Sequence, residues 1–197
     1  MLSAIVLAAG SSARMGDRNK LLLPYRKMPL LAGTLAHILA AGIEELILVT
    51  GHEAQLIEQA AGHLSLQVVH NPAYRDGMTG SIQAGVSAAG GNGYMICLAD
   101  MVRVTALEYS LLKVAFEERV RLDPECICVP IYEGQEGNPV IFSAFYREEI
   151  LQHKEKSGCK GIVRTHAEHI YRVEMPQDHI LFDIDYPNEY DALLKEE

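Results

Sequence analysis

The amino-acid sequence predicts an α/β protein, with a parallel or mostly parallel sheet covered by helices. Short apolar runs of strand length alternate with stretches in which apolar residues recur three or four apart. Most of the short runs are rich in Val, Ile or Leu, as strands buried on both faces require. Glycines stand where several of the helical stretches should stop.

In chain order, strands are expected at 3–8, 45–50, 66–70, 94–98, 127–131, 139–143 and 170–174. Helices are expected near 29–41, 53–61, 81–89, 106–119, 145–153 and 188–195, with Gly42, Gly62 and Gly90 as stops. No internal repeat, low-complexity tract or linker breaks this pattern, so residues 1–197 read as one domain, long enough to bury a core without staples. The stretch 132–138 reads as a mobile active-site loop rather than a domain boundary.

Composition narrows the function classes. No apolar run approaches the ~18 residues of a membrane helix, and the run 2–9 lacks the basic flank of a signal peptide, so it reads as a buried strand. Cys97, Cys126, Cys128 and Cys159 show no CxxC spacing, which predicts reduced thiols and a cytoplasmic protein. A net charge of −9 argues against nucleic acid as a partner, because affinity for that backbone comes from excess Lys and Arg. Against this acidic background Arg14, Arg18, Lys20, Arg26 and Lys27 crowd together and predict a local site for a small anion.

The strongest local signal follows the first strand: Leu7, Ala8, Ala9, Gly10, Ser11, Ser12, Ala13, Arg14, Met15 and Gly16, then Lys20. In an open α/β sheet, ligands bind beyond the carboxyl ends of strands, where a glycine-rich turn lets backbone N–H groups approach phosphate. Arg14 offers a planar fork of donors and Lys20 a compact mobile charge, suited to the β- and γ-phosphates of a nucleotide. The loop is neither GxxxxGK[ST] nor GxGxxG, so ATPase and dehydrogenase readings lose their support. His166 and His169 lack zinc-helix spacing, and no GxSxG surrounds Ser11, Ser12 or Ser81.

These residues resemble the nucleotidyltransferases that complete the molybdenum cofactor, particularly the molybdenum cofactor cytidylyltransferases. The resemblance continues in order through Val49-Thr50-Gly51, Asn71-Pro72-Ala73-Tyr74, Gly77-Met78-Thr79-Gly80-Ser81, Leu98-Ala99-Asp100-Met101, Gly137-Asn138-Pro139-Val140 and Asp183-Ile184-Asp185-Tyr186-Pro187. It implies a Rossmann-like nucleotidyltransferase fold with Mg²⁺ as cofactor and CTP and molybdopterin as substrates. A cytidine dinucleotide form of the cofactor and pyrophosphate are the implied products. It further implies nucleotide contacts at Leu7, Ala8, Ala9, Gly10, Ser11, Arg14, Lys20, Gly77 and Ser81, with Arg14, Lys20 and Asp100 catalytic. A molybdenum hydroxylase is the implied protein partner; no membrane partner is expected.

Asp100 follows an apolar run and should stand at a strand's carboxyl end, where a metal carboxylate is useful. Mg²⁺ takes a few carboxylates together with phosphates and water, so a second acid is needed. Asp183 and Asp185 share one face if extended, and position in the family motif favours Asp185. Ser81 is expected to cap the helix after it or to contact a sugar or base. The Ala8-Ala9-Gly10 form resembles cytidylyl- rather than guanylyltransferases, which tend to carry a second glycine there. Three departures fall in the half that the family uses for the acceptor: Val102 for proline, Asn138 for histidine, and no aspartate in 157–161. They leave open a different phosphorylated acceptor, and the alternatives of GTP or another nucleotide and of a noncatalytic role in cofactor insertion stand beside it.

Overall fold

The computed structural model describes residues 1–16 and 18–195. Its strands are β1 (Ser3–Ala8), β2 (Pro24–Tyr25), β3 (Met28–Pro29), β4 (Glu45–Thr50), β5 (Gln67–His70), β6 (Gly93–Leu98), β7 (Ile127–Tyr132), β8 (Gln135–Glu136), β9 (Val140–Ser143) and β10 (Ile170–Glu174). The helices are α1 (Leu30–Ala40), α2 (Ala54–Ala61), α3 (Met78–Ala88), α4 (Ala106–Arg119), α5 (Arg147–Gln152), α6 (Lys160–Thr165) and α7 (Pro187–Leu194). Apart from the β2–β3 hairpin, the strands form one sheet in the order β10-β7-β9-β6-β1-β4-β5, with β8 on β7. β1 runs parallel to β4 and β6, and β4 to β5, whereas β9 runs antiparallel to both β6 and β7. The α/β, mostly parallel expectation is met.

Both faces of the sheet are covered, which is why the inner strands read as continuous apolar runs. Ala4, Val6 and Ala8 of β1 face α1, α2 and α4 through Leu35, Ile57 and Leu112. Ile5, on the alternate face, joins Ile82 and Val86 of α3 and Ile150 of α5. A third cluster packs Met15, Tyr25, Leu30 and Val102 against Ile184, Tyr190 and Leu193, sealing the region after β1 with α7. Among the described residues, no helix is long and apolar enough to cross a membrane.

Several expectations are corrected. α3 begins at Met78, three residues before the predicted start, so Ser81 lies inside the helix and Gly77 takes the cap position. The stretch 132–138 is no open loop: β7 and β8 pair as a hairpin whose turn residues Glu133 and Gly134 both have positive φ, as a two-residue type I′ turn requires. Arg26 and Lys27 form the matching turn of the β2–β3 hairpin. Tyr25 anchors that hairpin in the third cluster, and Tyr190 donates to Pro24 O at 2.6 Å. Gly42 and Gly62 terminate helices at positive φ; Gly90 does not, since α3 ends on the extended Ala89. The short helix α6 and the two-residue strands carry too little periodicity to be read from sequence.

Candidate active site

The order of winding locates the site. From β1 the chain winds outward through β4 and β5, then crosses back to place β6 on the other side of β1. The β1–β6 boundary is therefore a topological switch point, beyond whose carboxyl ends the rim loops diverge and leave a crevice. The glycine loop follows β1 and Asp100 follows β6, so this crevice lies between the two strongest motifs.

The loop after β1 is built to present backbone and cations. Ser12 adopts a left-handed conformation, and its Oγ accepts from Lys20 N at 3.2 Å. Asn19 caps the short turn Lys20–Leu22 by accepting from Leu21 N at 3.2 Å, while its Nδ2 donates to Glu53 at 3.0 Å. Lys20 is thus fixed at its backbone with its side chain aimed inward. Across the rim, His52 N donates to Ala9 O at 3.1 Å. A Cβ on Gly51 would stand 2.7 Å from Tyr74 Cβ and 2.9 Å from Ala9 Cβ, so only glycine lets these three loops converge.

The acidic side forms from two distant segments. Asp100 is buried two residues beyond β6; the cap of the next helix is Thr105, leaving Asp100 without a capping task. Asp183 and Asp185 lie on one side of an extended segment while Ile184 between them is fully buried in the third cluster. Glu189 accepts from the backbone N–H of Asp185 at 2.7 Å and of Tyr186 at 2.8 Å, so the α7 capping box sets the position of Asp185. Carboxylate oxygens of Asp100, Asp183 and Asp185 all lie within 4.8 Å of one another.

The basic and acidic groups meet. Lys20 Nζ pairs with Asp100 and reaches Asp185 Oδ1 at 3.0 Å. Arg14 pairs with Asp185 and lies 5.5 Å over the Tyr186 ring. Burial alone raises the Asp185 carboxyl, but the hydrogen bond and charge of Lys20 and the charge of Arg14 outweigh it and hold it below the ordinary value. Asp183, open on one side to solvent, is raised by what burial it has and by the charges of Asp100 and Asp185. Lys20 is raised: burial opposes its charge, and Asp100 and Asp185 together prevail.

These groups line a cavity of about 570 Å³. Of the residues predicted to act, Leu7, Ala9, Gly10, Ser11, Arg14, Lys20, Gly77, Ser81, Asp100 and Asp185 line it. Ala8 does not, because strand alternation turns it into the core on the opposite face. Ser81 Oγ accepts from Asn71 Nδ2 at 3.0 Å. Gly77, at φ 130°, sits where a Cβ would be 2.6 Å from Lys156 O. Gly137 and Asn138 fall outside the cavity, Asn138 N donating to Ile180 O at 3.0 Å, and Val102 is a packing residue of the third cluster. Sequence reasoning passed over Tyr74, Arg75, Met78 and Leu98 as lining residues and ranked Asp183 behind Asp185. Their positions at strand ends and beside motif glycines were the available signal.

Similar proteins agree with this architecture. Over 190 residues the chain is 26% identical to molybdenum cofactor cytidylyltransferase of Escherichia coli (strain K12), covering 96% of this chain and 93% of that protein. A 63-residue stretch is 41% identical to CMP-5'-(3-aminopropyl)phosphonate synthase of Streptomyces rubellomurinus, covering 30% of this chain and 10% of that protein. A nucleotidyl transferase structure from Methanothermobacter thermautotroptrophicus shares the fold at TM-score 0.83 and 24% identity, covering 100% of this chain and 99% of that one. Residues 4–170 match the MobA-like NTP transferase domain, and the chain belongs to that family of nucleotidyltransferases.

Proposed function

We propose that this nucleotidyltransferase moves a cytidylyl group from CTP to the terminal phosphate of molybdopterin in the molybdenum cofactor, releasing pyrophosphate in a Mg²⁺-dependent reaction. The observation that carries this reading is the meeting of Asp100, Asp183 and Asp185 with Lys20 and Arg14 at the mouth of the glycine loop. Three carboxylates so gathered, open to solvent on one side, fit a hard divalent cation that takes oxygen ligands and keeps places for phosphate and water. Asp100 and Asp185 would be its ligands, with Asp183 beside them; the ion would supply charge neutralisation at the reacting phosphates.

The chain's own residues do the rest. Backbone N–H groups of the loop 9–12 cradle phosphate oxygens, and Arg14 and Lys20 take up the charge that develops on the departing pyrophosphate. An acceptor phosphate oxygen forms a bond to the α-phosphorus as the bond from that phosphorus to pyrophosphate breaks. No strong general base is needed, because the second pKa of a phosphate monoester is ~6 and the nucleophile is already ionised at neutral pH. Leu7, Ala9 and Leu98 offer apolar surface for the base, with Ser81 and the Gly77 backbone as its polar contacts. The Ala8-Ala9-Gly10 form of the loop supports CTP over GTP, and the name of the E. coli relative points the same way.

A second reading keeps the nucleotide half and changes the acceptor. Val102 and Asn138 serve packing and backbone contacts here, and the partial Streptomyces relative is named for a phosphonate product. Pyrophosphate release with Mg²⁺ and molybdenum-loaded molybdopterin, compared among CTP, GTP, ATP and UTP, separates the readings. Release with CTP alone supports the first; CTP binding without release supports the second. Asp100→Asn should lower turnover by about 10³-fold or more while changing CTP affinity much less. Unchanged turnover would remove Asp100 from the chemistry, and unchanged cofactor insertion into a molybdenum hydroxylase would favour a noncatalytic accessory.

A further inference from the structure

Lys20 occupies an unusual place for a phosphate-binding lysine. Its ammonium pairs with Asp100 and stands 3.0 Å from Asp185, so it touches two of the three carboxylates that gather within 4.8 Å. Its side chain is only 16% exposed, which keeps competing water away from these contacts. Arg14 differs: it meets Asp185 from the solvent side, with a side chain 57% exposed.

A divalent ion of the Mg²⁺ or Mn²⁺ type binds oxygen at about 2.1 Å and demands near-octahedral placement. Bound to Asp100 and Asp185, it would stand in the corner between the two carboxylates that the ammonium fills. Two cations in that corner also repel at close range, where little solvent screens them. Lysine and metal are therefore alternatives at this position. The lysine has somewhere else to go: its backbone is anchored through Ser12 Oγ beside the glycine loop, and its four-carbon stem is flexible. Without a nucleotide, that second position offers the ammonium no anion.

We propose that Lys20 is a placeholder for the metal. In the nucleotide-free protein its ammonium fills the cation position between Asp100 and Asp185, and it yields that position when nucleotide phosphates give it a replacement anion. The metal then enters with the nucleotide instead of ahead of it. The inference rests on the metal assignment made above, and it adds that the lysine gates the site it later serves. The coupling is reciprocal: whatever nucleotide does for metal affinity, metal does equally for nucleotide affinity.

The test is Mn²⁺ binding by the full-length chain without nucleotide, followed by the EPR signal of free Mn²⁺, in wild type, Lys20→Met and Lys20→Gln. Both variants should bind Mn²⁺ about tenfold more tightly than wild type, within the usual range of site-to-site coupling. Affinity for α,β-methylene-CTP, measured calorimetrically with and without Mn²⁺, should then show a smaller metal effect in the variants than in wild type. Variants that bind Mn²⁺ no better than wild type overturn the placeholder role. Asp100→Asn in each background separates the two layers: if it leaves Mn²⁺ affinity unchanged, the metal is not at this site and the metal assignment itself falls. If it abolishes binding while the Lys20 variants match wild type, only the gating fails.

Discussion

Two glycines of the cavity should respond oppositely to the same added methyl group. At Gly77, φ is 130° and a Cβ would lie 2.6 Å from Lys156 O and 2.9 Å from Lys156 Cβ. A side chain there imposes a backbone strain of about 1–3 kcal/mol. It also pushes on the carbonyl that accepts from Met78 N at 2.9 Å, a hydrogen bond worth roughly 1 kcal/mol. The loss of unfolded-state freedom on Gly→Ala returns about 0.4–1 kcal/mol. The net for Gly77→Ala is a destabilisation of about 2–3 kcal/mol, or roughly 5–10 °C in Tm for a chain of this size. Gly10 is different, because its φ is not in the left-handed region and nothing lies within 4 Å of a Cβ. Gly10→Ala should hold Tm within about 2 °C yet weaken CTP binding, because the methyl projects into ligand space. Thermal unfolding by circular dichroism together with calorimetric CTP titration reads both quantities. The reasoning fails if Gly77→Ala unfolds with wild type, or if Gly10→Ala binds CTP as wild type does.

Other groups give independent checks. The Arg147 guanidinium donates to the carbonyls of Val86 (2.7 Å), Ser87 (3.0 Å) and Ala89 (3.2 Å) at the end of α3, so Arg147→Lys, which lacks the fork, should lower stability by about 1–2 kcal/mol in urea titration. All four cysteines are buried and burial raises Cys159 to about 12, so a thiol reagent at neutral pH should label none in the native state and four in denaturant. His169 is raised above 6.5, chiefly by its hydrogen bond to Asp123. Its contribution is therefore full below 6.5 and fades as pH rises through the higher folded value. Tm should fall slightly from pH 6 to 8 through this group, and His169→Gln should remove that part of the slope.

The inner strands β1, β4 and β6 were legible because both of their faces are buried, which forces continuous apolar runs whatever packs on them. Helix α4 was legible from its recurring apolar residues, and the structure shows a Thr105–Glu108 capping box that fixes its start. The loop after β1 and Asp100 could be located for the same reason: each lies a residue or two beyond a strand that the sequence already marks. Less visible were β8 and the β2–β3 pair, two residues long, whose pairing depends on turns with positive φ at Arg26, Lys27 and Glu133. The start of α3 was displaced because Met78 N is satisfied by Lys156 O, far along the chain.

Local composition thus determined the sheet strands, the glycine loop after β1 and the kinds of polar groups that the rim can offer. Tertiary structure alone decided that Ala9 lines the cavity and Ala8 does not, that Asp183 joins Asp100 and Asp185, and that Lys20 stands against carboxylates instead of open solvent. The partners Lys20 and Asp185 are 165 residues apart, and Arg14 and Asp185 are 171 apart. Residue type and periodicity report what each segment can bury or expose, but Coulombic contact depends on distance in space, and that distance is set only when the core clusters bring α7 against the loop after β1.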